Sequence, residues 1–132
     1  MSGKVRVLVC DDSGEFRRVL GMVLALGDGL EVVGEASDGR EAIERAERCR
    51  PDVVLLDLAM PVLDGLEALP EIRRVAPQAA VIVLSAFEAR AMAQRALELG
   101  AAGYLEKGAT PEAIIEAVER RGTPSAALDD GA

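Results

Sequence analysis

Short apolar runs alternate with longer amphipathic stretches along most of the chain. Residues 5–10, Val-Arg-Val-Leu-Val-Cys, are β-branched and short and read as a buried strand. Phe16, Val19, Leu20, Val23 and Leu24 follow at helical spacing, and Gly27, Asp28 and Gly29 end that helix. A second strand is predicted over 30–34. Ser37-Asp38-Gly39 then opens a helix carrying Ala42, Ile43 and Ala46. Pro51-Asp52 is a turn, and 53–56 is a third strand, apolar throughout. Asp64-Gly65 starts a helix with Leu66, Leu69 and Ile72, and Pro70 inside it is expected to weaken or kink it. Residues 81–84 form a fourth strand, 88–99 an Ala-rich helix with Met92, Leu97 and Leu99, and 103–105 a short fifth strand. Thr110, Pro111 and Glu112 supply an N-cap, an N1 proline and a first-turn acid for a last helix carrying Ile114, Ile115 and Val118. Five strand-then-helix units with apolar strands predict an α/β fold, a doubly wound parallel sheet with right-handed crossovers. The periodicity stops after Arg121, so 1–121 is expected to be one domain and 122–132 a flexible tail or linker.

Composition narrows the class. The chain has 132 residues, half of them apolar, enough for one domain with its own core. Lys plus Arg is 15 and Asp plus Glu is 23, a net charge of −8. That balance argues against direct binding to nucleic acid or an anionic membrane. Histidine is absent, which removes histidine acid–base catalysis and histidine-ligated zinc. Cys10 and Cys49 are the only cysteines and read as small buried hydrophobes rather than a disulfide framework. The first residues lack a signal-peptide apolar region, and no apolar run nears the roughly 18 residues of a membrane span. A cytoplasmic protein is expected.

Polar residues collect where the strands end. Asp11 and Asp12 follow the first, Asp57 the third, Ser85 the fourth and Lys107 the fifth. The carboxyl ends of parallel strands border the ligand crevice of such a sheet, so these residues are expected to meet. Three close carboxylates raise one another's pKa unless a cation neutralises them, and Mg²⁺ takes such hard oxygen ligands. With Lys107 as a fixed positive charge and Ser85 as a hydrogen-bond donor, the cluster has the parts that stabilise phosphoryl transfer. Asp57 would be the attacking carboxylate and become an aspartyl phosphate. Singly, each residue has a plainer reading. Asp57 is a turn residue, Asp11 or Asp12 caps the first helix, Ser85 is an N-cap, Lys107 is a solvated lysine and Tyr104 a static aromatic.

Asp11-Asp12, the run from Asp57 through Met60-Pro61 to Asp64-Gly65, Leu84-Ser85-Ala86 and Gly103-Tyr104-Leu105-Glu106-Lys107 together resemble the receiver domain of two-component response regulators. The resemblance spans about residues 4–121 and is nearest the NarL/FixJ, or LuxR-type, receivers. It implies a flavodoxin-like (βα)5 fold with strand order 2-1-3-4-5. It implies that Asp57 accepts phosphate from a sensor histidine kinase. Asp12, Asp57 and the backbone carbonyl of Ala59 would ligate Mg²⁺, with Asp11 completing the acidic pair. Ser85 and Lys107 would contact the phosphoryl oxygens. Tyr104 would be the switch aromatic that turns inward as Ser85 moves, altering a protein-interaction surface on helix 4, strand 5 and helix 5. The protein would be a phosphoacceptor rather than an enzyme, with at most weak self-dephosphorylation. Partners allowed by the resemblance include a homodimer formed on phosphorylation, an unknown downstream protein and a missing C-terminal DNA-binding domain.

Three departures stand out. Gly108 follows the rim lysine where the family often has a cis proline. Residues 122–132, after the NarL-like ending, are not expected to form the helix-turn-helix that this subgroup carries. Ala59 and Phe87 lie two residues after Asp57 and Ser85, and neither side chain can hydrogen-bond a hydrolytic water, so a comparatively long-lived acyl phosphate is expected. The alternatives are an excised receiver of a DNA-binding transcriptional regulator, a haloacid-dehalogenase-like phosphatase and a flavodoxin. The phosphatase needs a second Asp where Ala59 stands. The flavodoxin needs a less acidic phosphate loop than Asp11-Asp12-Ser13-Gly14-Glu15.

Overall fold

The apolar runs assemble into one five-stranded parallel sheet in the order β2-β1-β3-β4-β5, with a helix after each strand. The computed structural model describes residues 3–86 and 90–121. The elements are β1 (Val5–Cys10), α1 (Gly14–Ala25), β2 (Leu30–Ala36), α2 (Gly39–Cys49), β3 (Val53–Asp57), α3 (Gly65–Val75), β4 (Ala80–Ser85), α4 (Arg90–Glu98), β5 (Gly103–Glu106) and α5 (Pro111–Glu119). The alternation predicts the doubly wound parallel sheet, and the resemblance implies this flavodoxin-like strand order. The expected tail, 122–132, and the first residues expected for the fourth helix, 88 and 89, lie outside the described residues, as does Phe87. No helix among the described residues is long and apolar enough to cross a membrane.

Strand side chains alternate between the two faces and divide the core in two. Leu8, Cys10, Val54, Leu56, Val81 and Val83 pack with Ala42 and Ala46 of α2, Leu69 and Ile72 of α3, and Ala93 and Ala96 of α4. Val7, Val9, Val53, Leu55, Ile82 and Leu84 pack with Leu20 and Leu24 of α1 and Ile114 and Val118 of α5. Both faces are covered, which is why β3 shows no polar alternation. Side-chain caps set four helix starts. Ser13 Oγ accepts from Phe16 N at 3.1 Å and Asp38 Oδ1 from Glu41 N at 2.8 Å. Asp64 and Glu67 form a reciprocal capping box, and Thr110 Oγ1 accepts from Ala113 N at 3.1 Å.

Several expectations change. The α1 cap is Ser13, so neither Asp11 nor Asp12 is used for it. Pro70 does not interrupt α3, which runs unbroken from Gly65 to Val75. Pro70 sits on the exposed side, so the backbone bond it removes and the bulk of its ring fall toward water rather than the core. In α4 the fully buried residues are Ala93 and Ala96, while Met92 and Leu99 are each 37% exposed. Small side chains let this helix approach the sheet, and the larger apolar ones are left on its flanks. Val19 of the predicted α1 stripe is exposed as well.

Candidate functional site

Sheet register builds the site. Cys10 pairs with Leu56, so Asp11 stands level with Asp57 across the gap between β1 and β3. That gap is the switch point, where the chain order reverses and ligands bind in open α/β sheets. Asp57 pairs with Leu84 and Ser85 with Glu106, so each strand toward β5 delivers its polar residue one step further along the edge. Backbone bonds extend the pairing past the strand ends: Asp11 N to Ala36 O at 3.0 Å, Leu58 N to Leu84 O at 3.1 Å and Lys107 N to Ser85 O at 2.9 Å. Gly65 lets α3 begin directly against Asp57. A Cβ there would collide with the Asp57 carbonyl oxygen and lie 2.7 Å from Leu58 Cα.

Five residues meet at this edge. Asp11 is fully buried, Asp57 is 1% exposed and Ser85 2%, while Asp12 is exposed at the mouth. Asp11, Asp12 and Asp57 each offer a carboxylate oxygen, all within 4.8 Å of one another. Lys107 Nζ reaches Asp11 Oδ2 at 2.9 Å and Asp57 Oδ2 at 3.1 Å. Asp57 Oδ1 accepts from Ala59 N at 3.1 Å, and Asp11 Oδ1 from Ser13 N at 2.8 Å. Ser85 Oγ is buried with no hydrogen-bond partner among the described residues, and the residues it would cap lie outside them. An orphaned hydroxyl beside three clustered acids suits a ligand with oxygens to share. The hard oxygen donor set suits Mg²⁺.

The electrostatics follow from burial. Desolvation pushes the Asp57 carboxyl up to about 6. The Ala59 N–H opposes that rise, the Asp11 charge adds to it, and the Lys107 ammonium opposes it. Burial pulls the Lys107 ammonium down, but its hydrogen bonds and charge contacts with Asp11 and Asp57 outweigh this and raise it. Burial pushes the Cys10 thiol far up, so it is no thiolate nucleophile, and Cys10 and Cys49 are both free. Tyr104 lies on the α4 side of β5, buried at 7% exposure, and its Oη donates to Glu106 Oε2 at 3.1 Å.

Three neighbours escaped the sequence reading. Phe16, counted as a core residue, places its ring 5.0 Å from Lys107 Nζ. Arg17 donates to the Asp11 carbonyl at 2.6 Å and to Glu35 at 2.8 Å, tying the first acidic loop to β2. Glu106, read only as part of a motif, holds the Tyr104 hydroxyl. A position one turn into a helix after a strand-end acid is the signal that could have singled out Phe16 and Arg17.

The family model described as response regulator receiver domain matches residues 7–119. The chain belongs to the response regulator receiver family. Chemotaxis protein CheY of Thermotoga maritima is 37% identical over 115 residues, which cover 87% of this chain and 95% of that protein. Response regulator GacA of Pseudomonas viridiflava is 40% identical over 114 residues, covering 86% of this chain and 53% of that protein, so the receiver here spans about half of GacA. The solved signal receiver domain of the response regulator NarL of Mycobacterium tuberculosis matches with a TM-score of 0.83 and 40% identity over 89% of this chain and 94% of that one. The receiver thus has NarL-type relatives, as its motifs imply. None of these three is a phosphatase or a flavodoxin.

Proposed function

We propose that this receiver takes a phosphoryl group onto the Asp57 carboxylate from the phosphohistidine of a sensor histidine kinase. The supporting observation is Asp57 itself, a carboxylate buried at a switch point with an ammonium at 3.1 Å and two further acids beside it. As the new P–O bond forms on Asp57, the P–N bond of the donor breaks and the imidazole leaves, retaining a proton. Asp12, Asp57 and the Ala59 carbonyl would hold Mg²⁺, with Asp11 at their back. The bound ion supplies positive charge against the acids and the phosphoryl oxygens. Lys107 is already in contact with Asp57 and would pass to a phosphoryl oxygen, and the unpartnered Ser85 hydroxyl would donate to another.

The output follows from that movement. Ser85 and Lys107 belong to neighbouring chain segments, joined by the bond from Lys107 N to Ser85 O. Their shift toward phosphate would be felt by Tyr104 and by the face of α4, β5 and α5. A phosphate biases this face only through its different contacts in the two states. Beyond weak self-dephosphorylation the receiver would be a switch rather than an enzyme, working in the cytoplasm. The exposed methyl of Ala59 offers an attacking water no hydrogen bond, which favours slow decay. Residues 1–121 would be the receiver and 122–132 a tail or linker, with output through protein contact or an attached DNA-binding domain.

Intact mass after incubation with acetyl phosphate tests the reading. One phosphoryl increment is expected with Mg²⁺, none in EDTA and none in Asp57→Ala. Labelling that survives in Asp57→Ala would overturn it. Decay faster than in Ala59→Asn would count against the slow-hydrolysis part alone.

A further inference from the structure

The loop from β3 to α3 holds a residue that neither the fold nor Asp57 requires. Val62 has φ +68°, the left-handed region, where a β-branched side chain is an outlier. Gly or Asn takes that conformation with little strain. Val62 is also 72% exposed, so its side chain contributes almost no burial in return. Two separate penalties fall on one position, and the same backbone would accept a residue with neither. Arg50 and Arg121 are left-handed too, but each ends a helix, where that conformation is ordinary. Val62 ends none and stands at the rim of the acidic pit, where such a conflict points to function.

The surroundings say what kind. Leu63 N donates to Pro61 O at 2.7 Å and Gly65 N to Leu58 O at 3.1 Å, so the loop leaves Asp57 and returns beneath it. Residues 58–63 read Leu-Ala-Met-Pro-Val-Leu, with no charged or hydrogen-bonding side chain. Leu58 and Met60 turn inward, while Ala59, Pro61 and Val62 face out, and Ala86 beyond β4 is exposed as well. The acidic pit is therefore bordered on this side by an uncharged apolar lip. A small phosphodonor needs only the pit. A protein donor must cover the lip to bring its phosphohistidine against so deeply buried a carboxylate.

We propose that Val62 is a docking residue for the phosphodonor protein, its side chain held out by the left-handed turn to seat in an apolar recess beside the phosphohistidine. This role rests on the reading of Asp57 as phosphoacceptor. The donor is the occupant because it must lie over this lip while the phosphoryl group crosses to Asp57.

Val62→Asn and Val62→Gly relieve the turn, so both should unfold at higher urea than the wild type and take phosphate from acetyl phosphate at its rate. The donor probe is a set of catalytic cores of the sensor histidine kinases from the same genome, each autophosphorylated with labelled ATP. The core that transfers fastest to the wild type should transfer to Val62→Asn about tenfold more slowly or worse, the loss expected when a valine no longer fills an apolar recess. Val62→Ile should keep the rate. Equal transfer to Val62→Asn and wild type overturns the proposal. A wild type labelled by acetyl phosphate but by no core overturns it too, and so does equal slowing with acetyl phosphate. Failure of acetyl phosphate to label the wild type would instead sink the phosphoacceptor reading, and the docking role with it.

Discussion

Replacing Asp57 by Asn should make the protein more stable at neutral pH in the absence of magnesium. The wild-type carboxyl is pushed from 3.8 up to about 6, chiefly by burial. Roughly two units, at about 1.4 kcal/mol each, give a penalty of about 3 kcal/mol for keeping Asp57 ionised near pH 7.5. Its folded pKa is raised, so between these values the native state binds more protons than the unfolded chain. The stability of the wild type therefore falls as pH rises through that window and levels off above it. Near about pH 4.5 the same linkage leaves about 1 kcal/mol. Asparagine keeps the size and can still accept from Ala59 N, while the ion pair of Lys107 with Asp11 at 2.9 Å keeps the ammonium partnered. Urea unfolding in EDTA should show Asp57→Asn ahead by about 1–3 kcal/mol near pH 7.5, shrinking to about 1 kcal/mol or less near pH 4.5. Magnesium should narrow the gap from the other side, because an ion bound only by the native wild type stabilises it. A variant less stable than wild type near neutrality, or a lead that grows on acidification, would show that the Lys107 pair rather than desolvation governs Asp57.

Gly65→Ala places a methyl against the Asp57 carbonyl and Leu58 Cα. It should lose about 2–3 kcal/mol in thermal unfolding and label poorly with acetyl phosphate, and an unchanged Tm would count against the close approach. Phe16→Leu combined with Lys107→Met in a double-mutant cycle should reveal a coupling of about 0.5–1 kcal/mol in urea unfolding. Additive losses would mean that the ring 5.0 Å from the ammonium does not hold it. Pro70→Ala should stabilise by about 1–3 kcal/mol, since an exposed alanine restores a helical bond, and a loss measured by urea unfolding would imply that the proline is needed.

Most of the site was legible because a parallel sheet gathers the carboxyl ends of its strands. Asp11, Asp57, Ser85 and Lys107 are far apart in the chain, yet each follows an apolar run, and the register then had little freedom. The caps at Asp38, Asp64 and Thr110 were readable for a local reason, a short acceptor just before a periodic stretch. Properties set by tertiary approach were not readable. Hydropathy ranks Met92 and Leu99 above Ala93 and Ala96, but closeness of packing favours the alanines. Pro70 reads as a breaker until its exposed side is known. Phe16 fits a core stripe equally well whether or not the lysine just after β5 reaches its ring. The backbone at Val62 contradicts the residue's own preference, so no local rule could have found it.

The alanine footing of α4 has a mechanical consequence. Ala93 and Ala96 present two methyl groups to the sheet, where α3 presents Leu69 and Ile72. Re-seating α4 sideways would uncover on the order of 1–2 kcal/mol of apolar contact, against about 3–6 kcal/mol for withdrawing the two side chains of α3. Nor do methyl groups interlock as branched side chains do, so a second resting position meets little resistance. α4 therefore rests on less apolar contact than α3, so a displacement of α4 would cost less than one of α3 and would be the easier way to redraw the outer contour of the protein.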